Sequence, residues 1–444
     1  MRRGRIPRFG RELGGIGQPL HTASTPTLAL SLTAAPRWRS ASHRTEPLPP
    51  TTATAAASAP ALALSLTAAP RWRSARRFST FLLLPTPLST MRETLAEWRP
   101  AVDDAIEEVL PREIDDAYLR EYFGDPSYEY DPQAIQRALA DPIWELLDRG
   151  GKRWRAVLFL VLVDALGEDP ADYLPYATIP EILHNGTIIV DDVEDGAAMR
   201  RGEPALHHGF GQDVALNAGN AMYFIPLKII THNPGDLPDD RRLRAYEMLM
   251  HELNRTHLGQ GMDICWHNEA SIRVGEAEYL EMCACKTGCL GRIVARLAAI
   301  VTAQPPEVEE AVATYAEQVS IAFQIGDDIL DVEHSLGEAG EFGKEFGNDV
   351  REGKKTLMAI HAMRHAPSAD ADRLAAILAA DENDDEEILE AIDVLQSAGS
   401  VEFARETALD LAADARSQLD DLDLEAGPEA DMRAFTEFVV DRDV

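Results

Sequence analysis

Cysteine is scarce in this chain of 444 residues: Cys265, Cys283, Cys285 and Cys289 are all there is. No paired C-x-x-C knuckle exists, which argues against a zinc knuckle. Cys285 and Cys289, four apart, leave a zinc site with His267 conceivable; small buried helix residues are the expected role. Long apolar runs are missing too. None approaches the roughly 18 residues that a membrane span needs, so a soluble, cytoplasmic protein is expected. No stretch alternates with the period of a strand. Base is short as well. A formal net charge of −33 leaves no footprint for nucleic acid, whose phosphates need a basic surface.

The charge is unevenly spread. Residues 1–90 hold twelve Arg, no Lys and only Glu12 and Glu46 as acids, whereas the rest is strongly acidic. The leader also duplicates itself, with LALSLTAAPRWRSA at Leu28–Ala41 and again at Leu62–Ala75. Two Pro-interrupted copies cannot build a solenoid. An Arg-rich, acid-poor leader resembles a transit peptide. The preferred reading is a disordered segment outside the native protein, because MRETLAEWRP at Met91 opens the acidic, periodic region at once. The domain expected is therefore 91–444. Its excess of acid over lysine suits a protein kept soluble in multimolar salt, where self-repulsion is screened. That is a halophilic archaeal composition.

From Met91 on, apolar residues recur at three and four. Helices are expected over 93–122, 152–166, 172–190, 213–231, 238–267, 275–303 and 305–331. Shorter ones follow at 354–364, 370–380, 386–398, 400–422 and 428–440. Breaks fall at Pro and Gly clusters such as Asp125-Pro126 and Gln304-Pro305-Pro306. The fold class is all-α.

What stands out against this background is acid in apolar surroundings. DDVED at Asp191–Asp195 and DDILD at Asp327–Asp331 each follow an apolar run. On a helix, positions i and i+4 share a face, so Asp191 with Asp195, and Asp327 with Asp331, each form a pincer. Adding Asp192 and Asp328, six carboxylates would converge if the pincers faced each other. Unit charges about 4 Å apart repel by roughly 4 kcal/mol at an effective dielectric near 20. Such a cluster calls for cations, and hard oxygen donors favour Mg²⁺. One Asp pair alone reads as a solvated helix face; two copies at the same spacing do not.

The scarce cations gather near these motifs. Gly150-Gly151-Lys152-Arg153-Trp154-Arg155 sets a glycine pair before three bases at a helix start, suited to a diphosphate. Arg200, Arg201 and Gly202 follow the first Asp motif, Lys286-Thr287 sits mid-helix, Lys344 lies in a Gly-rich loop and Lys354 follows it. Any one of these alone reads as a surface residue.

Together the motifs resemble the trans-type (all-E) polyprenyl diphosphate synthases. They appear in order: GGKRWR, LHNGTIIVDDVEDGAAMRRG at Leu183–Gly202, NAGNAMYF at Asn217–Phe224, GQGMD at Gly259–Asp263, KTG at Lys286–Gly288, FQIGDDILD at Phe323–Asp331 and GKEFGNDVREGKKT at Gly343–Thr356. The resemblance covers roughly residues 91–400. Ala156, where a Pro usually follows the basic string, departs from it. It implies an isoprenoid-synthase-type helical bundle around a central active-site cavity, usually a homodimer. It also implies three Mg²⁺ ions on Asp191, Asp192, Asp195, Asp327, Asp328 and Asp331. These would bridge the diphosphate of an allylic primer, helped by Arg200, Lys286, Lys344 and Lys354. Isopentenyl diphosphate would be held by Lys152, Arg155, His184 and Arg201, with Thr287 and Gln324 beside the reacting carbons. Gln260 and Asp263 would support the metals from behind.

Product length is set by what lies under the metals. Gly186 and Thr187, five and four residues before Asp191, are small and leave a tunnel open there. Tyr223-Phe224 on the next helix resembles the floor of synthases that stop at twenty carbons. Geranylgeranyl diphosphate is therefore the expected product, ahead of farnesyl or a twenty-five-carbon chain. A terpene cyclase would carry an Asn/Ser/Glu second motif and no isopentenyl site. Head-to-head condensing enzymes space their Asp residues differently. A non-catalytic partner subunit of a heteromeric synthase would usually lose one Asp motif.

Overall fold

The computed structural model describes residues 87–269, 273–334, 347–380 and 382–440. The chain divides into two units, 1–79 and 80–444, and every described residue belongs to the second. The duplicated segment and Lys344 lie outside the described residues. Helix α1 spans Pro87–Val109, so Met91 falls inside an element rather than at its edge.

The chain continues through α2 (Asp116–Phe123), α3 (Pro132–Ile135), α4 (Asp141–Asp148), α5 (Trp154–Ala165) and α6 (Leu174–Glu194). A two-residue hairpin, β1 (Met199–Arg200) and β2 (Glu203–Pro204), then leads into α7 (Leu206–Phe210), α8 (Gln212–Phe224) and α9 (Leu227–His232). The long α10 (Asp239–Asn268) is followed by α11 (Glu276–Cys283), a π-wound turn at Ala284–Gly288, α12 (Cys289–Val301) and α13 (Pro306–His334). Last come α14 (Asn348–Arg351), α15 (Leu357–His365), α16 (Ser368–Leu378), α17 (Asp385–Ser397), α18 (Ser400–Ser417) and α19 (Ala426–Val440). The fold is all-α; among the described residues the hairpin supplies the only strands.

Helix α5 lacks a polar face and α12 has only a narrow one, and they form the centre. In α5 only Asp164 escapes burial, and in α12 only Arg292 and Arg296 do. A helix that is apolar all round has to be covered on every side. Helices α1, α6, α12 and α19 surround α5, while α10 and α13 enclose α12. Burying each Leu, Ile or Val there contributes roughly 1.5–3 kcal/mol. The helix expected over 93–122 is broken between Val109 and Asp116, and that over 213–231 is interrupted before Leu227. Pro226 causes the second break, because it has no N–H to donate.

Candidate active site

The first acidic motif closes α6, and the second lies in α13. Both open on one cavity of about 390 Å³, lined by Asp191 from α6 and by Asp327 and Asp328 from α13. Six carboxylates do not converge as expected. Asp192 turns away and accepts from Arg200, Nε to Oδ1 at 2.7 Å, and it is 2 % exposed. Asp195 caps the end of α6, 3.8 Å from Lys354 Nζ. Asp331 accepts from the Asp349 backbone N–H at 3.1 Å. Neighbours i and i+1 point about 100° apart on a helix, and with Asp191 on the cavity Asp192 is turned to the hairpin, where Arg200 holds it. Glu194, Asp263, Asp349 and Glu352 line the cavity in their place.

Each acid on the first wall has a partner. Asp191 accepts from Lys286 Nζ at 3.1 Å and from Gln260 Nε2 at 2.9 Å. Lys286 also donates to Asp263 at 2.7 Å, and Gln260 to Glu194 at 2.8 Å. Burial opposes its charge, yet Lys286, Lys354 and Arg200 hold Asp191 down at about 2. Asp195 behaves oppositely: burial and the charge of Asp191 push it up to about 7. Asp328 is raised to about 8 by burial and by Asp349, although Tyr279 Oη donates to it at 2.8 Å and Gln324 Nε2 at 2.9 Å. Thr287 Oγ1 completes the chain, donating to Gln324 Oε1 at 3.1 Å. Lys286 and Thr287 owe their position to the π-wound turn, a distortion frequent at functional sites.

The basic residues divide in two. Arg155, His184, Arg200 and Lys354 line the cavity together with Lys286. Arg155 is 4 % exposed, its guanidinium lies over the Trp154 ring, and its Nε has no hydrogen-bond partner. Burial lowers it to about 10, so it stays cationic at neutral pH. Burial, with Arg155, Arg201, Arg200 and Arg153 nearby, depresses His184 well below its ordinary value and keeps it neutral. Lys152 and Arg201 are not among the lining residues. Lys152 lies 5.3 Å over the Phe438 ring, and Arg201 donates to Leu146 O, Gly150 O and Asn185 Oδ1.

The product-length residues need the larger correction. Thr187 and Tyr223 line the cavity, whereas Phe224 is 60 % exposed and forms no floor. Gly186 is small for another reason. A Cβ there would stand 2.7 Å from Met222 Cβ and 2.9 Å from Gly219 O. Its missing side chain lets α6 and α8 touch; it does not open a tunnel. Sequence reasoning missed His257, which lines the cavity and meets Tyr223 edge-on with centroids 5.7 Å apart. It also missed Tyr279. Nothing local in the chain marks either residue, because both reach the site by helix packing. The cysteine expectation holds for Cys283, Cys285 and Cys289, which are buried; Cys265 is exposed.

Among the described residues no three His, Cys, Asp or Glu side chains form a ready metal cage. Mg²⁺ is commonly bound by one or two carboxylates, with water and substrate phosphate oxygens completing its shell. The residues present fit that demand: Asp195 Oδ1 is buried without a hydrogen-bond partner, and crowded hard oxygens are the donors that Mg²⁺ prefers.

The polyprenyl synthetase family pattern matches residues 136–395. The chain belongs to the polyprenyl synthetase family. It is a transferase. A short chain isoprenyl diphosphate synthase of Methanothermobacter thermautotrophicus is 31% identical over 331 residues, covering 74% of this chain and 96% of the relative. A geranylfarnesyl diphosphate synthase of Natronomonas pharaonis is 29% identical, covering 80% and 98%. Among solved structures, a geranylgeranyl pyrophosphate synthetase from Pyrococcus horikoshii superposes with a TM-score of 0.68 at 27% identity, over 80% of this chain and 99% of that one. The polyprenyl synthetase assignment accounts for the all-α bundle and its central cavity. Among the described residues no helix is long and apolar enough to cross a membrane.

Proposed function

We propose that this polyprenyl synthetase condenses isopentenyl diphosphate with an allylic diphosphate in the presence of Mg²⁺, three ions per site, and releases geranylgeranyl diphosphate. The observation that carries it is that both acidic motifs and the buried base Arg155 open on one cavity. Asp191, Asp327 and Asp328 would hold the ions from the cavity wall, with Asp192, Asp195 and Asp331 acting from behind through their partners. Mg²⁺, when bound, would supply positive charge to the departing diphosphate. Lys286, Lys354, Arg200 and Lys344 donate to the same oxygens as the allylic C–O bond ionises. Arg155 and neutral His184 hold the second diphosphate from the cavity wall, with Lys152 and Arg201 adding positive charge from behind it, so that its double bond attacks the allylic cation. The released diphosphate takes the proton, and no side-chain base is needed. Thr287 and Gln324 keep the reacting zone ordered through their mutual hydrogen bond.

The catalytic unit is read as residues 91–444, the acidic, periodic part of the chain. A homodimer is favoured by exposed Phe224, together with Leu243, Met250 and Leu258 at helical spacing on α10. A cytoplasmic location follows from the same reading. The second outcome is a twenty-five-carbon product, the one named for the Natronomonas relative. Incubating the full chain with Mg²⁺, labelled isopentenyl diphosphate and separate allylic primers tests the proposal, with chromatography of the dephosphorylated products. Asp191→Ala and Asp327→Ala are expected to lower turnover about a thousandfold or more with the fold intact. Near-normal rates in either would overturn it.

A further inference from the structure

The turn that carries Arg200 and Arg201 is made of unsuitable residues. Arg201 and Gly202 occupy its two central positions with φ of 55° and 79°, the signature of a type I′ hairpin turn. Gly202 tolerates this, but an arginine in left-handed backbone is disfavoured. Something outside the hairpin must hold it.

Two arginines do so reciprocally. Arg201, from the turn, donates to Leu146 O at 3.1 Å, in the last turn of α4 where carbonyls lack intrahelical partners, and to Gly150 O at 2.6 Å in the loop just beyond it. Arg149, from that same end of α4, donates to Pro204 O at 2.9 Å and to Arg200 O at 3.2 Å. Each segment's guanidinium binds the other's backbone. The Arg149 side chain is 9% exposed, and Glu145 at 3.4 Å is its other partner. Arg149 is not among the residues lining the cavity, so it has no direct reach to substrate.

We infer that Arg149 is a positioning residue for the isopentenyl diphosphate end of the site, an inference that rests on the function proposed above. The arginine clasp joins the loop at Gly150–Arg153, which leads to Arg155, to the hairpin, which presents Arg200 to the cavity. Two basic walls from distant parts of the chain are thereby held at one separation. An isopentenyl diphosphate held at Arg155 needs that separation from the allylic diphosphate at Arg200 kept, because misplacement of its donors weakens binding of both ground and transition states.

The test is steady-state kinetics of the full chain and of Arg149→Met, varying isopentenyl diphosphate and farnesyl diphosphate separately. The KM for isopentenyl diphosphate is expected to rise about tenfold, with kcat and the allylic KM changed by less than about threefold. Arg149→Lys keeps a donor that reaches one carbonyl and is expected to recover part of the loss. Because the clasp acts as one unit, Arg149→Met added to Arg201→Met should cost little more than Arg201→Met alone. An unchanged KM for isopentenyl diphosphate, fully additive effects, or equal rises in both KM values alongside a lowered melting temperature would overturn the inference. If Arg149→Met fails to fold, Arg149→Lys carries the same comparison. A wild-type chain inactive with isopentenyl diphosphate sinks the proposed function instead; an active wild type with an unaffected Arg149→Met sinks only the clasp.

Discussion

At the scale of single residues, the direction of a side chain decides its role. Asp191 and Asp192 are identical neighbours, yet one lines the cavity and the other is buried against Arg200. The same rotation separates Tyr223 from Phe224. Tyr223 is 7% exposed and packs against His257 at the cavity wall, whereas Phe224 is 60% exposed. Shortening Tyr223 should therefore open the lower cavity, while shortening Phe224 should not. Tyr223→Ala is expected to shift the product toward twenty-five carbons or more, since the removed ring leaves space for about one isoprenyl unit. Phe224→Ala should leave the product length unchanged. Chromatography of dephosphorylated products separates these outcomes, and equal lengthening by both variants would contradict the geometry.

Among elements, close backbone approach is the recurring device. The π-wound turn that presents Lys286 is backed by α10 at Gly259. A Cβ at Gly259 would stand 2.3 Å from the Lys286 backbone N and 2.8 Å from Cys285 C. Backbone cannot yield as a flexible side chain would, so Gly259→Ala forces the turn away from α10. The expected cost is about 1–3 kcal/mol of stability. Turnover should fall further than stability, because Lys286 is displaced from Asp191 and Asp263. Thermal denaturation beside single-turnover rates checks this; a stability loss with unchanged chemistry would show that the turn tolerates the shift. Gly186 and Gly219 play the same part where α6 meets α8.

Over the whole molecule, charge is handled in two opposite ways. Inside, Glu252 at 0% exposure accepts from Arg255 at 3.2 Å, Arg292 at 3.1 Å and Arg296 at 2.9 Å. That network ties α10 to α12, and Arg255 and Arg292 extend it to Glu317 on α13. All three helices or their flanks carry site residues. Outside, the excess of acid repels itself across the surface. Raising salt from about 0.1 M to about 1 M shortens the screening length from roughly 10 Å to roughly 3 Å. Exposed repulsion should therefore fade while the buried network persists. The melting temperature of the full chain is expected to rise by about 4 °C between 0.1 M and 3 M KCl, equivalent to roughly 3 kcal/mol. A flat or falling profile would count against the multimolar-salt reading of its composition.

Much was legible in the linear chain because it depends on local order alone. Apolar residues at three and four specify helices, an acidic motif within an apolar run marks a site, and glycine before clustered base marks an anion binder. Asp191, Asp327, Asp328, Lys286 and Arg155 were found in this way, while Gln324 came only from the family resemblance. What remained hidden depends on rotation and packing between distant segments. Only the folded chain shows that Asp192 faces Arg200, that Gly186 spaces two helices and that Phe224 points outward. Tyr279, His257 and Arg149 acquire meaning only from partners 34 to 55 positions away. A sequence specifies which residues share a helix; the angle at which each helix meets its neighbours is settled by the packing of the whole core.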